Sequence, residues 1–295
     1  MFFIINELPY KLRFLPHNVI FGGLWFGETK PNFNTFLQPL VPIFQKIKEG
    51  ITVFCNQSFI KVRGLLLNGI GDMPARSLMY NMTNFNGAYG CMKCLIRGIV
   101  KRLLELWTSV EFRSEPFSIY SKIKLLEERL TKLKPPHFVT RPPRSIQHCL
   151  AILKSSEFKN FLFYYSIPVL IGILPEIYLK HFILLVEAAS LLHEDSISDE
   201  DLGKAKALID KFVSEFEHLY GLRHMSANLH SLLHLPEAVQ NTGPLWVNSC
   251  FPLEDLNGKL ARLVHATKTP EGQICESFFV QQKLALYESQ MANDS

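Results

Sequence analysis

The sequence predicts two characters in one chain: a mixed α/β layer over the first 85 residues and an all-helical mass further on. Three observations predict it. Short runs of β-type residues, Phe2–Ile5, Val19–Phe26, Ile51–Cys55 and Phe59–Ile70, crowd into the front of the chain. From Ser145 onward the apolar residues instead recur at helical spacing, over 147–165, 175–193, 198–220, 229–240, 252–265 and 270–290. Between these regions, the Pro-rich segment PPHFVTRPPR follows a charged amphipathic helix and ends it.

In order, two strands come first, then a helix over Asn32–Ile47, then two more strands. Phe59–Ile70 is dense in Val, Leu and Ile without clean alternation, which predicts a strand covered on both faces. It ends at Asp72, and Pro74 suits the first turn of a helix running to about Met82, because proline's missing N–H costs nothing there. The charged helix KIKLLEERLTKLK spans 122–134, and the basic connector after it reads as an exposed loop, with phosphate contact as the alternative. Asp199 and Asp201 fall in the first turn of a long helix, where carboxylates complement the positive helix end. No repeat of fixed period and no low-complexity tract interrupts this order.

A chain of 295 residues with 47% hydrophobic content can bury a large core. Its net charge of +4 is too small and too dispersed to mark a nucleic-acid footprint by itself. Six scattered cysteines do not make a disulfide scaffold and favour an intracellular, reduced, unsecreted protein. The first residues, MFFIINELPYKLR, lack a leading basic region and are broken by Asn6 and Glu7, unlike a signal peptide. The most membrane-like stretch, 161–192, is interrupted by Pro168, Pro175, Glu176, Lys180 and Glu187, so no membrane partner is expected.

Three features carry chemistry. Asp72, at a strand end, is either the N-cap of the helix that follows or a metal-binding carboxylate on a rigid element. Cys91 and Cys94 have the spacing that turns two sulfurs toward one ion, and His230 and His234 lie four apart on a predicted helix. Together they form a candidate Cys2His2 zinc site; otherwise they are a reduced thiol pair and two unrelated helix histidines. A redox role for the thiols is the weaker reading, since neither a strand before the pair nor a helix directly after it is evident. Glu254 and Asp255 sit in the first turn of a late helix begun by Pro252, either as complements to the helix dipole or as metal ligands. No phosphate loop, nucleophile elbow or Ser-His-Asp order is present. His148, His181 and His265 read as ordinary core or surface residues.

The blocks INELPYKLR, GGLWFGETKP, GDMPARSLMYNMTNFNGAYGCMKCLIRG, KSSEFKNFLFYYSIPVL and NLHSLLHLPEAVQNTGPLWVNSCFPLEDLNGKL, in this order, resemble the transposases of animal CACTA (En/Spm-type) transposable elements. The resemblance covers nearly the whole chain. It implies a ribonuclease-H-like core with a large all-helical insertion before its last catalytic helix, divided as 1–98, 99–250 and 251–295. It further implies three carboxylates holding two Mg2+ or Mn2+ ions for DNA cleavage and strand transfer in recombination, a nuclear location and double-stranded DNA as partner. Self-association is a second expectation. Asp72 matches the second acid and Glu254 the third, with Asp255 as the fallback.

The family's first acid lies on a strand upstream of the segment matched by Phe2–Leu8, and nothing in residues 1–20 replaces it. The expectation is a catalytically incomplete core, a fragment of the full enzyme. A domesticated protein- or DNA-binding module is the alternative, and a hydrolase with a new third ligand the weakest reading.

Overall fold

The computed structural model describes residues 1–25, 31–55, 57–66, 92–137, 139, 141–247 and 251–293, and of 92–95, 251–254 and 292–293 the backbone alone. In chain order the elements are β1 (Phe2–Ile4), α1 (Tyr10–Arg13), β2 (Val19–Phe21), α2 (Phe33–Leu37), α3 (Val41–Glu49), β3 (Ile51–Cys55) and β4 (Ser58–Val62). There follow α4 (Met92–Thr108), α5 (Ile123–Lys132), α6 (Ile146–Cys149), α7 (Ser155–Asn160), α8 (Ser166–Leu170), α9 (Glu176–Leu191) and α10 (Asp199–Tyr220). The last elements are α11 (Ala227–Ser231), α12 (Leu235–Thr242), α13 (Phe251–Ala261) and α14 (Pro270–Asn293).

The chain divides into two compact units, one formed by Met1–Met82 with Cys250–Ser295 and the other by Thr83–Ser249. These boundaries differ from the predicted divisions at 98/99 and 250/251.

In the first unit, β1 and β2 pair antiparallel with Phe2 opposite Phe21 and Ile4 opposite Val19. Val19 is fully buried, and with Leu260, Ile274 and Phe278 it forms a small core joined by Phe2, Ile4 and Phe21. The front hairpin and the two C-terminal helices therefore share one apolar centre. Helix α3 has Pro42 in its first turn and ends at Gly50, whose φ of +110° disfavours any side chain. A Cβ there would also run into the Lys61 side chain. Helix α3 leads into the β3–β4 hairpin, paired antiparallel from Ile51–Val62 to Cys55–Ser58.

That hairpin corrects the prediction of a strand buried on both faces. Strand β4 stops at Val62 and is exposed throughout, with Phe59 at 76%. Among the described residues it pairs with β3 alone, and Phe54 and Phe59 pack across the hairpin at 5.0 Å between ring centroids. Residues 63–66 are not strand, and 67–70 lie outside the described residues. Among the described residues the strands form two separate two-stranded sheets rather than one layer.

The second unit is helical and has the large core. Helix α4 buries Ile99, Val100, Leu103, Leu104, Leu106 and Trp107. Helices α9 and α10 run antiparallel, since His181 Nε2 meets the Phe212 carbonyl at 2.8 Å while Glu187 meets Lys204 at 2.8 Å. Helix α10 starts at a capping box: Ser198 Oγ accepts from the Asp201 N–H at 3.1 Å, and the Asp201 carboxylate accepts from the Ser198 N–H at 3.2 Å. The acid predicted to serve the helix dipole thus has a definite hydrogen-bonding role. Over 147–165 the predicted single helix is broken into α6, a 3-10 turn, α7 and a π-helical stretch at Phe161–Tyr165. Among the described residues no helix is long and apolar enough to cross a membrane.

The Pro-rich connector is anchored rather than free. Arg144 grips the buried Glu157 carboxylate through Nε at 2.6 Å and a terminal nitrogen at 2.7 Å, and also donates to the Ile152 carbonyl at 3.2 Å. Glu157 in turn accepts from the Lys154 N–H at 2.8 Å, capping α7. Burial alone would raise the Glu157 carboxyl, but the hydrogen bonds from Arg144 and the Lys154 backbone outweigh it and hold the group below the usual carboxylate range.

Candidate metal sites

The acidic pair rests on α13. Glu254 falls in the first turn of this helix, whose side chains up to that residue are not described, and Asp72 and the helix predicted after it lie outside the described residues. Asp255, the fallback, is described: its carboxylate is exposed and meets Lys259 one turn later at 2.8 Å. The hydrogen bond from Lys259 holds it below the usual carboxylate range.

The Cys/His constellation lies wholly in the helical unit. Cys91 is outside the described residues, and Cys94 is in the first turn of α4, a helix of 17 residues. The sequence reading that no helix follows the thiol pair is therefore wrong. Its signal was present, since Ile96, Ile99, Val100, Leu103, Leu104 and Trp107 recur at intervals of three and four.

His230 and His234 lie on a winding less regular than predicted. His230 belongs to α11 and His234 closes a 3-10 turn at Leu232–His234. Their rings still face each other, edge to face, with centroids 5.3 Å apart. His230 is exposed and His234 half-buried, while Leu229 and Leu232 between and beside them are fully buried.

Helix α11 packs on α4 near the cysteines, where a Cβ at Gly98 would meet Asn228 Nδ2 at 3.0 Å. Asn228, however, and not His230, makes this contact. Two residues further on, His230 is turned about 200° round the helix. The helices carrying the two half-sites are neighbours, but a shared ion requires the Cys91–Cys94 turn to reach the other flank of α11. Two thiolates and two imidazoles are the donor set of a structural zinc site. Among the described residues no three His, Cys, Asp or Glu side chains converge as metal ligands would.

Other polar groups of the helical unit escaped the sequence reading. His224 is buried, with Nδ1 2.9 Å from Arg102 and Nε2 3.0 Å from Arg223, and both guanidinium groups lie over the Phe112 ring. A neutral imidazole accepts at one nitrogen only, so one of these two approaches is not a hydrogen bond. Burial, then the Arg102 and Arg223 charges, lowers the pKa of this ring. These partners are far apart in sequence, and no local pattern announces them. His181 is buried at 2% exposure and stacks on Phe212 at 4.3 Å. Its Nδ1 has no hydrogen-bond partner, and burial lowers its pKa.

A cleft of about 20 Å³ lies among Leu130, Pro143, Arg144, Glu157 and Tyr165. It has room for a single water, which suits the buried, unpartnered Tyr165 hydroxyl in its lining.

No protein-family model, curated protein or solved structure matches this chain.

Proposed function

We propose that this protein derives from a DNA transposase of the CACTA (En/Spm) type, built on a ribonuclease-H-like core. It binds duplex DNA and a divalent cation. The observation that carries this reading is the nesting of the two units. Residues 1–82 and 250–295 form one compact unit, and the helical unit is inserted between them in sequence; the hairpin β1–β2 shares its core with α13 and α14. An enzyme whose second and third metal carboxylates flank a helical insertion needs this order, because only then do distant parts of the chain return to one site.

In this reading Asp72 and Glu254 are the two carboxylates the chain contributes. Hard oxygen donors of this kind suit Mg2+ or Mn2+, and such ions, when bound, supply an activated nucleophile and a stabilised leaving oxygen. Zinc held by Cys91, Cys94, His230 and His234 is a second, structural part of the proposal. Its support is the thiol and imidazole donor set and the packing of α4 against α11. A nuclear location accompanies DNA as the partner.

The test is duplex DNA binding by the full chain, followed by fluorescence anisotropy over a range of salt concentrations, with a nicking assay in Mg2+ and Mn2+. Affinity that falls steeply as salt rises is expected, because phosphate contacts release counterions. Absent or salt-insensitive binding would overturn the DNA reading in favour of a protein-binding module. Metal-dependent nicking abolished by Asp72→Asn would add strand cleavage to the reading.

A further inference from the structure

The C-terminal helix α14 has two apolar faces. One is committed to its own unit: Ile274 and Phe278 are buried in the core with Val19 and Leu260, and Gln282 Nε2 donates to the Val19 carbonyl at 2.9 Å. The other lies on the far side of the helix. Val280, Leu284, Tyr287 and Met291 follow one another at intervals of four, three and four residues, exposed by 57%, 57%, 65% and 75%. At about 100° per residue they make one stripe, turned away from Phe278. An exposed run of large apolar side chains on an otherwise anchored helix marks an interaction surface.

We propose that this stripe is the seam of a parallel, two-stranded helix pair formed with α14 of a second copy of the chain. The alternation of four and three is that of the a and d positions of a heptad, with Leu284 and Met291 at a and Val280 and Tyr287 at d. Lys283 then stands at g, and Glu288, five residues on, at the next e. In a parallel pair each g residue lies beside the following e residue of the other helix. Lys283 of one copy therefore meets Glu288 of the other, and the two-fold axis makes that contact twice.

An antiparallel pair would set g against g and e against e, lysine toward lysine and glutamate toward glutamate. The charges select both the occupant and its direction. Among the described residues neither Lys283 nor Glu288 takes part in an ion pair, so both are free for this one. The seam is shorter than the roughly three or four heptads of a free-standing coiled coil, and it forms a concentration-dependent dimer. Anchoring α14 to its own unit removes part of the ordering cost that a free peptide of this length would bear.

The inference stands apart from the reading of the acidic residues. Sedimentation velocity of the full chain across a concentration series tests it, with circular dichroism and unfolding midpoints as controls for folding. A monomer–dimer equilibrium is expected. Leu284→Glu is expected to abolish the dimer with helicity and midpoint unchanged. Lys283→Glu or Glu288→Lys alone weakens dimerisation about tenfold, and the double exchange restores it, a rescue that no purely structural role produces. A chain monomeric at every concentration would overturn the proposal and leave the stripe to a different protein. So would a dimer that Leu284→Glu leaves intact, and a dimer indifferent to the charge exchanges would overturn the parallel register.

Discussion

Arg144 and Glu157 carry the sharpest consequence of a single side chain in the helical unit. The carboxylate is buried and the guanidinium only partly exposed, so removing the arginine strands a charge instead of returning it to water. Arg144→Met is expected to destabilise the chain, because the less exposed carboxylate loses its partner, read from urea unfolding at neutral pH. Truncating both partners to apolar residues should cost less than truncating the arginine alone, because no charge is then left buried. A second consequence concerns pH. Burial lowers the pKa of His181 and, with Arg102 and Arg223, that of His224, so the unfolded chain binds more protons than the folded one just below the ordinary histidine pKa. Stability is full above about pH 6.5 and is lost as pH falls through the folded pKa values. Glu157, also lowered, withdraws its own contribution further down, beginning below the ordinary carboxylate pKa. His181→Gln removes one titrating group, so the drop in unfolding midpoint between pH 7.5 and 5.5 is expected to shrink. An unchanged drop would show that the ring protonates equally in both states.

At the scale of elements, two glycines of the helical unit should respond with opposite sign. Gly203 is exposed inside α10 and a Cβ there meets nothing within 4 Å. Gly203→Ala should therefore stabilise by about 0.5–1 kcal/mol, through helix propensity alone. Gly98 is where α11 approaches α4, and Gly98→Val should destabilise by about 1–3 kcal/mol by overpacking. Unfolding midpoints of the two variants decide it. Elements were legible wherever local pattern and tertiary context agreed. Helix α10 was readable because Ser198 and Asp201 announce its start and its apolar residues keep one period, whereas the single helix expected over 32–47 is divided into α2, a 3-10 turn at Gln38–Leu40 and α3. The β4 prediction failed because an apolar run does not say what covers it, and β4 is exposed along its whole length. Helix α4 was missed although its period is plain, since the reading stopped at the cysteines in its first turn. The anchoring of Arg144 was not readable at all, as nothing local links a connector to a carboxylate on α7.

For the whole molecule, the informative feature is that the chain leaves a unit and returns to it. In the first unit Val19 is buried among Leu260, Ile274 and Phe278, residues more than 200 positions further along the chain. The candidate site was readable only as residue types at spacings. Of its members the structure describes Asp255, His230 and His234 in full, placing Asp255 against Lys259 and the two imidazoles edge to face. If zinc joins α4 to α11, the purified chain carries one equivalent, and both Cys94→Ser and His230→Asn lose it while lowering the unfolding midpoint. Zinc retained by either variant would separate the two half-sites.

The central claim is that Asp72 and Glu254, far apart in sequence, share one divalent cation. Titration of the chain with Mn2+, followed by the loss of the free-ion electron paramagnetic resonance signal, tests it directly. One bound ion is predicted for the unaltered chain and for Asp255→Asn, and its loss in Asp72→Asn and in Glu254→Gln alike. An ion retained in both of those single variants would contradict the account.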